Sequence, residues 1–190
     1  PLPYHEKAQI LSATHRCAVR LWSDPSTWVD PTTFATATRL RLLLPVLREG
    51  TPCHCGAAAT NLHVFQCVAI KAAGRIVRHN LICKAIHDTA CNLRGCSSLL
   101  EPRGHSHISR IRPDLVIVTP HRTITLDVTV TYPGKTVEGA HHRGHAAAAA
   151  ARRKSSQWSP TCPPGSFVPF AADTTGLLDQ QALDFLKLLV

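Results

Sequence analysis

Four residues in one short stretch have the types and spacing of a metal site. Cys53, Cys55, His63 and Cys67 run in the order Cys-x-Cys-x7-His-x3-Cys. Three thiolates and one imidazole suit tetrahedral zinc. Gly56, directly after the second cysteine, lets the backbone turn around an ion. His63 and Cys67 are four apart, so one helical turn presents both on the same side. A segment with so little apolar material would draw most of its folding energy from the metal. The alternative is a group of unrelated thiols beside a histidine. The second candidate chemistry is acidic. Asp114 follows Arg112 and Pro113, and Asp127 interrupts a run of threonine and aliphatic residues. Carboxylates are disfavoured inside strands, so Asp127 calls for a reason.

The elements that must position these groups follow from periodicity. Thr123–Thr131 alternates, with Ile124, Leu126, Val128 and Val130 on one face and Thr125, Asp127, Thr129 and Thr131 on the other. Leu115–Val118 is a continuous apolar run of the kind found in buried strands. The two make a β-hairpin. A turn centred between Pro120 and His121 sets Asp114 directly opposite Asp127, on the threonine-rich polar face, with side chains roughly 5 Å apart. Two bare carboxylates there would repel, and a divalent cation such as Mg²⁺ resolves the conflict while leaving room for phosphate oxygens.

Helices flank the hairpin. Ile70, Ala73, Val77, Leu81 and Ala85 predict an amphipathic helix over Val68–Ala90, its other face carrying Lys71, Arg75, Arg78 and Lys84. Ala146–Gln157 is rich in helix formers. Asp179–Leu189 sets Ala182, Phe185, Leu186 and Leu189 on one face, and Phe167–Phe170 reads as a short strand. Upstream, His5–Leu21 reads as a helix broken at Asp24-Pro25-Ser26. Asp30 before Pro31 starts another, whose Leu40, Leu43, Leu44 and Leu47 read as core.

Composition bounds the function. The chain has 190 residues, a net charge of +9 and 44% hydrophobic residues, enough for a domain with a real core. The longest aliphatic run is far too short to cross a bilayer, and no cleavable signal is visible. The chain has no methionine and starts at Pro1, so it reads as a piece of a longer polypeptide. Eight cysteines are too few for a disulfide scaffold and suit metal chemistry in a reducing compartment. Cys17, Cys83, Cys91, Cys96 and Cys162 read as core or surface thiols. Between Val68 and Arg112 eight basic residues face two acidic ones. Phosphate contacts are a natural use of that charge.

In order, the motifs are Cys53-x-Cys55-Gly56…His63-x3-Cys67, Arg78-His79-Asn80, Glu101-Pro102, Arg112-Pro113-Asp114 and Asp127-Val128-Thr129. The set resembles the C-terminal region of site-specific non-LTR retrotransposon polyproteins that carry a restriction-enzyme-like endonuclease. The likeness covers roughly residues 50–190, including Phe167-Val168-Pro169-Phe170 and the closing helix. It implies an α/β fold: a PD-(D/E)XK restriction-endonuclease-like core, a small mixed sheet flanked by helices, preceded by a CCHC zinc knuckle. It divides the chain into 1–50, a helical linker after an absent reverse transcriptase, 51–70, the knuckle, and 71–190, the endonuclease. Asp114 and Asp127 match the acidic ligands of a catalytic Mg²⁺ or Mn²⁺. The D-x-K position holds Thr129, but related enzymes take a lysine from a following helix, and there Lys154 matches. Gln157 and Trp158 replace that motif's later Lys-Tyr, and Lys135 is the alternative lysine. Glu101 reads as a further ligand or a helix-end charge. His141, His142 and His145 read as a solvated loop, with metal binding the alternative. Arg75, Arg78, His79, Asn80 and Arg112 are the DNA-contacting candidates.

The function so implied is metal-dependent nicking of target DNA to prime reverse transcription, in the nucleus, with target DNA, element RNA and the upstream polymerase as partners. An inactive zinc-dependent nucleic-acid-binding module is the rival, and a structural zinc domain a third reading.

Overall fold

The hairpin forms in the register that the alternation predicts. In the computed structural model, strand β2 (Leu115–Val118) pairs antiparallel with β3 (Thr123–Thr131), Leu115 opposite Leu126 and Val118 opposite Thr123. The Thr119 hydroxyl closes the turn by accepting the amides of His121 and Arg122 at 3.3 and 3.1 Å. The structure describes residues 2–16, 18–19, 29–67, 69, 71–102 and 112–189, without the side chains of 71–73. Expectations for Cys17, the break at Asp24-Pro25-Ser26, Ile70, Arg103 and Arg110 lie outside those residues.

Two further strands extend the hairpin into a four-stranded mixed sheet of order β1-β2-β3-β4. β1 (Ser97–Leu100) is antiparallel to β2, and β4 (Phe167–Asp173) is parallel to β3. The sequence reading misses β1, because Ser97-Ser98 carries no strand signal. A parallel pair needs a crossover. Two 3₁₀ turns (Pro133–Lys135, Val137–Ala140) and the helix His145–Trp158 supply it.

Counting helices along the chain gives α1 (Tyr4–Ala13), α2 (Pro31–Arg41), α3 (Asn61–Gln66), α4 (Lys71–Asn92), α5 (His145–Trp158) and α6 (Gln180–Leu188). α4 and α6 cover one face of the sheet. There Cys83, Ile86 and Ala90 meet Leu115, Ile117, Ile124, Leu126, Val128 and Phe170, with Ala182, Phe185 and Leu189 from the C-terminal end. α5 covers the other face, and its alanine run becomes a close-packing surface, with Ala150 and Ala151 against Ala171 of β4. Asp30 caps α2 by accepting the Thr33 amide at 2.9 Å, and Asp179 caps α6.

Two expectations about apolar faces fail. α2 ends at Arg41 and Leu43 takes a left-handed backbone, so Leu44 and Leu47 are exposed and not core. On α4 the predicted apolar stripe is outermost, with Val77 56% and Leu81 63% exposed. The inner stripe is His79, Ile82, Cys83, Ile86 and Ala90, whose histidine, cysteine and alanine give a weaker hydrophobic signal. The N-terminal part docks onto the rest. α1 lies against both 3₁₀ turns, and Gln9 bonds the Leu40 carbonyl and the Tyr132 hydroxyl. Phe65 of α3 stacks on Tyr132 with ring centroids 5.2 Å apart. Among the described residues no helix is long and apolar enough to cross a membrane.

Candidate functional site

The cysteine cluster is built as a loop and one helical turn. The Gly56 amide bonds the Cys53 carbonyl, and the Cys53 amide bonds the Ala57 carbonyl, both at 2.8 Å. Gly56 sits at φ +84°, where a side chain would be strained. Thr60 caps α3 through the His63 amide, and Cys67 ends that helix. Cys53 Sγ then lies 3.4 Å from Cys67 Sγ, and Cys55 Sγ 3.3 Å from His63 Nε2. All four ligand atoms fall within 4.8 Å of one another. A tetrahedral zinc with bonds of about 2.0–2.3 Å places its ligands roughly 3.3–3.8 Å apart. The four residues therefore fit the ion, and the cluster can bind zinc.

The acidic pair lies between the two helical layers. The Asp114 amide bonds the Leu126 carbonyl, one residue off the regular ladder, and its side chain departs from the expected polar face. Asp114 Oδ2 accepts the Val128 amide at 2.6 Å and His79 Nε2 of α4 at 3.0 Å. Asp127 faces the other layer. Its Oδ2 lies 2.5 Å from Lys154 Nζ and accepts the Trp158 indole N–H at 3.1 Å. The threonine face is thus covered by α5, and the Asp127 side chain is only 8% exposed.

Electrostatics follow from this burial. Burial, then the neighbouring Asp127, pushes the Asp114 pKa up to about 6, against the pull of the Val128 amide and His79. Burial disfavours charge on His79, but the Asn80 side chain and the Asp114 carboxylate outweigh it and raise its pKa. The Cys83 thiol, one turn along α4, is pushed to about 12 by burial and then by the two aspartates. Each aspartate is met by a basic side chain, Asp114 by His79 and Asp127 by Lys154.

Of the residues singled out from sequence, the fold brings together Asp114, Asp127, Lys154 and His79. The others take different positions. Lys135 is exposed in the first 3₁₀ turn. Arg112 pairs with Glu101 at 2.5 Å, so that acid is engaged by an arginine. Arg75 donates to the Phe65 carbonyl at 3.0 Å and ties α4 to the cysteine segment. Arg78 is half-buried beside Ile82 and Ile86. Asn80 is exposed, with its side-chain Oδ1 3.2 Å from His79 Nδ1. His141 and His142 are exposed, and neither they nor His145 belong to a ligand cluster among the described residues. Sequence reasoning misses Cys83 and gives Trp158 no role. A signal existed for Cys83: His79-x3-Cys83 repeats the spacing of His63-x3-Cys67.

These features define a mixed α/β domain with a Cys3His cluster and, apart from it, a buried acidic pair served by a lysine. No family model matches the chain. It is 30% identical over 184 residues to the retrotransposable element SLACS 132 kDa protein of Trypanosoma brucei gambiense, and is its homologue. The alignment covers 90% of this chain and 15% of that protein, so the chain spans a small part of its relative.

Proposed function

We propose that the chain is the endonuclease part of a retrotransposon polyprotein, a divalent-metal-dependent nuclease of the PD-(D/E)XK type that nicks target DNA to prime reverse transcription. The observation that carries the reading is the convergence of Asp114, Asp127 and Lys154, from the entrance to β2, from β3 and from α5. Homology to a retrotransposon protein supports the retroelement setting. In this reading residues 51–70 are a zinc knuckle, 71–190 the nuclease, and 1–50 the connection to an upstream reverse transcriptase. Target DNA and element RNA are its partners, and it works in the nucleus.

Asp114 and Asp127 would hold the cation, whose chemistry there would be to polarise the phosphate and lower the pKa of a bound water. The chain's own groups do the rest. The Val128 amide fixes the Asp114 carboxylate, and the Trp158 indole fixes that of Asp127. Lys154, 29% exposed, is placed to offset charge developing on the phosphorane or to help deprotonate the water. Water oxygen bonds to phosphorus, the P–O3′ bond breaks, and a proton goes to O3′. The products are a 5′-phosphate and the 3′-hydroxyl a polymerase needs.

The test is nicking of supercoiled plasmid at low salt with Mg²⁺ or Mn²⁺. Nicking should vanish in Asp114→Ala and Asp127→Ala, fall in Lys154→Ala and persist in Lys135→Ala. A folded, zinc-loaded wild type that shifts DNA but never nicks it would instead establish an inactive binding module. Thr129, where many such enzymes have their lysine, favours that second reading.

A further inference from the structure

We infer that His79, Cys83 and Asp114 form a three-ligand site for a borderline divalent ion of the zinc class, with its fourth position open. This deepens the nuclease reading by naming the ion that Asp114 holds. It rests on that reading for the site's use in cleavage, while binding itself stands on geometry.

The three ligand atoms lie within 4.8 Å of one another. His79 Nε2 is 3.0 Å from Asp114 Oδ2 and 3.8 Å from Cys83 Sγ. A tetrahedral ion with bonds of about 2.0–2.1 Å to nitrogen, 2.0–2.2 Å to oxygen and 2.3 Å to sulfur needs separations of roughly 3.4 Å and 3.6 Å. Those two separations are within a few tenths of an ångström of what the ion needs, and the third, Cys83 Sγ to the Asp114 carboxylate, is no more than 4.8 Å. His79 and Cys83 are four apart on α4, so the helix fixes their relation, and the entrance to β2 brings in Asp114.

A second, independent feature points the same way. Histidines that bind metal through one nitrogen usually hold the other with a hydrogen-bond acceptor, which sets ring orientation. Here the Asn80 side-chain oxygen Oδ1 lies 3.2 Å from His79 Nδ1, leaving Nε2 for the metal. The ligand types decide which ion. Mg²⁺ prefers an octahedron of oxygens, whereas thiolate and imidazole favour zinc-class ions. Asp127, though next to Asp114, is not one of the three ligands, because its Oδ2 is engaged by Lys154 and Trp158. Three protein ligands and one open position is the pattern of a reactive rather than a purely structural zinc site. The open position would accept water or a phosphate oxygen.

The test uses the whole chain with its Cys3His cluster loaded with zinc and the zinc quantified. Cobalt(II) is then titrated in, with absorption read in the near-ultraviolet and visible and zinc release followed. One further equivalent should bind without zinc release and show a thiolate-to-cobalt charge-transfer band. The band should vanish in Cys83→Ser, and affinity should fall about 10–100-fold in Asn80→Ala. His79→Gln gives a second, half-exposed position at which cobalt affinity should drop. No second equivalent on a folded wild type, or an unchanged band in Cys83→Ser, overturns the inference. Mg²⁺-supported nicking that is equal in wild type and Cys83→Ser would sink this site's use in cleavage and leave the nuclease reading standing. The cobalt band without nicking under any metal would uphold the site and sink the nuclease.

Discussion

Replacing Lys154 by methionine removes the cation facing Asp127 while keeping most of the stem's volume. Taking one partner from a buried ion pair costs about 3–5 kcal/mol, because a charge is left uncompensated. Two features reduce that cost. Lys154 is 29% exposed, so water reaches the edge of the site. The Trp158 indole still donates to Asp127 Oδ2, and a hydrogen bond to a charged group contributes about 1.5–3 kcal/mol. The expected loss for Lys154→Met is therefore about 2 kcal/mol. Asp127→Asn keeps an acceptor for the indole and relieves repulsion with Asp114, while Lys154 can turn to solvent. Its cost should be about 1 kcal/mol or less. The double variant carries a neutral pair and should lie within about 1 kcal/mol of wild type. The cycle thus predicts that the double change costs about 2 kcal/mol less than the two singles together. Urea unfolding with zinc retained and no Mg²⁺ or Mn²⁺ added reads these differences. The reasoning is refuted if Lys154→Met is no costlier than Asp127→Asn, or if the two changes add within about 0.5 kcal/mol.

Other outcomes test other parts of the fold. Burial, then the charges of Glu6 and Tyr4, raises the Tyr132 pKa to about 12, above its ordinary value of 10.0. The folded state then keeps this proton longer than the unfolded chain. Its stabilising contribution is full below pH 10.0 and lost as pH rises through about 12, which alkaline unfolding and tyrosinate absorbance can follow. Stripping zinc with a chelator should free the amides of Cys53, Gly56 and Cys67 to hydrogen exchange while that of Val128 stays protected. Gly139→Ala would set a Cβ 2.3 Å from the Pro133 carbonyl oxygen, with Ala8 of α1 also close. It should cost about 1–3 kcal/mol in thermal or urea unfolding, whereas alanine at open Gly50 should not show this overpacking.

The hairpin was legible because strand alternation and turn chemistry agree from Leu115 to Thr131. The C-terminal helix was legible for the same reason, with Asp179 at its start and four apolar residues at helical spacing. Residues whose type does not declare their burial were not. The inner stripe of α4 is led by a histidine, a cysteine and an alanine, so periodicity chose the wrong face. Leu44 and Leu47 have the right type, but the helix stops at Arg41 and leaves them outside. Trp158 looked like a lost motif position. In the fold it holds Asp127 and stacks on Phe167 with centroids 5.5 Å apart.

Thr129 and Lys154 together show how the topology can set a lysine beside Asp127 although residue 129 is a threonine. Residue 129 shares the face of Asp127, where a D-x-K lysine would project. β3 and β4 are parallel, so the chain must leave the sheet after Thr131 and return over one face. α5 makes that return over the face bearing Asp127. Its buried residues at the sheet are alanines, so the helix can lie close to β4. From there Lys154 and Trp158, four apart and on one side, reach the same carboxylate oxygen. The lysine's position thus follows from the crossover and the alanine run rather than from its neighbours in sequence. The two changes a sequence comparison would count against activity, threonine at 129 and tryptophan at 158, are therefore compatible with an assembled acid–lysine site.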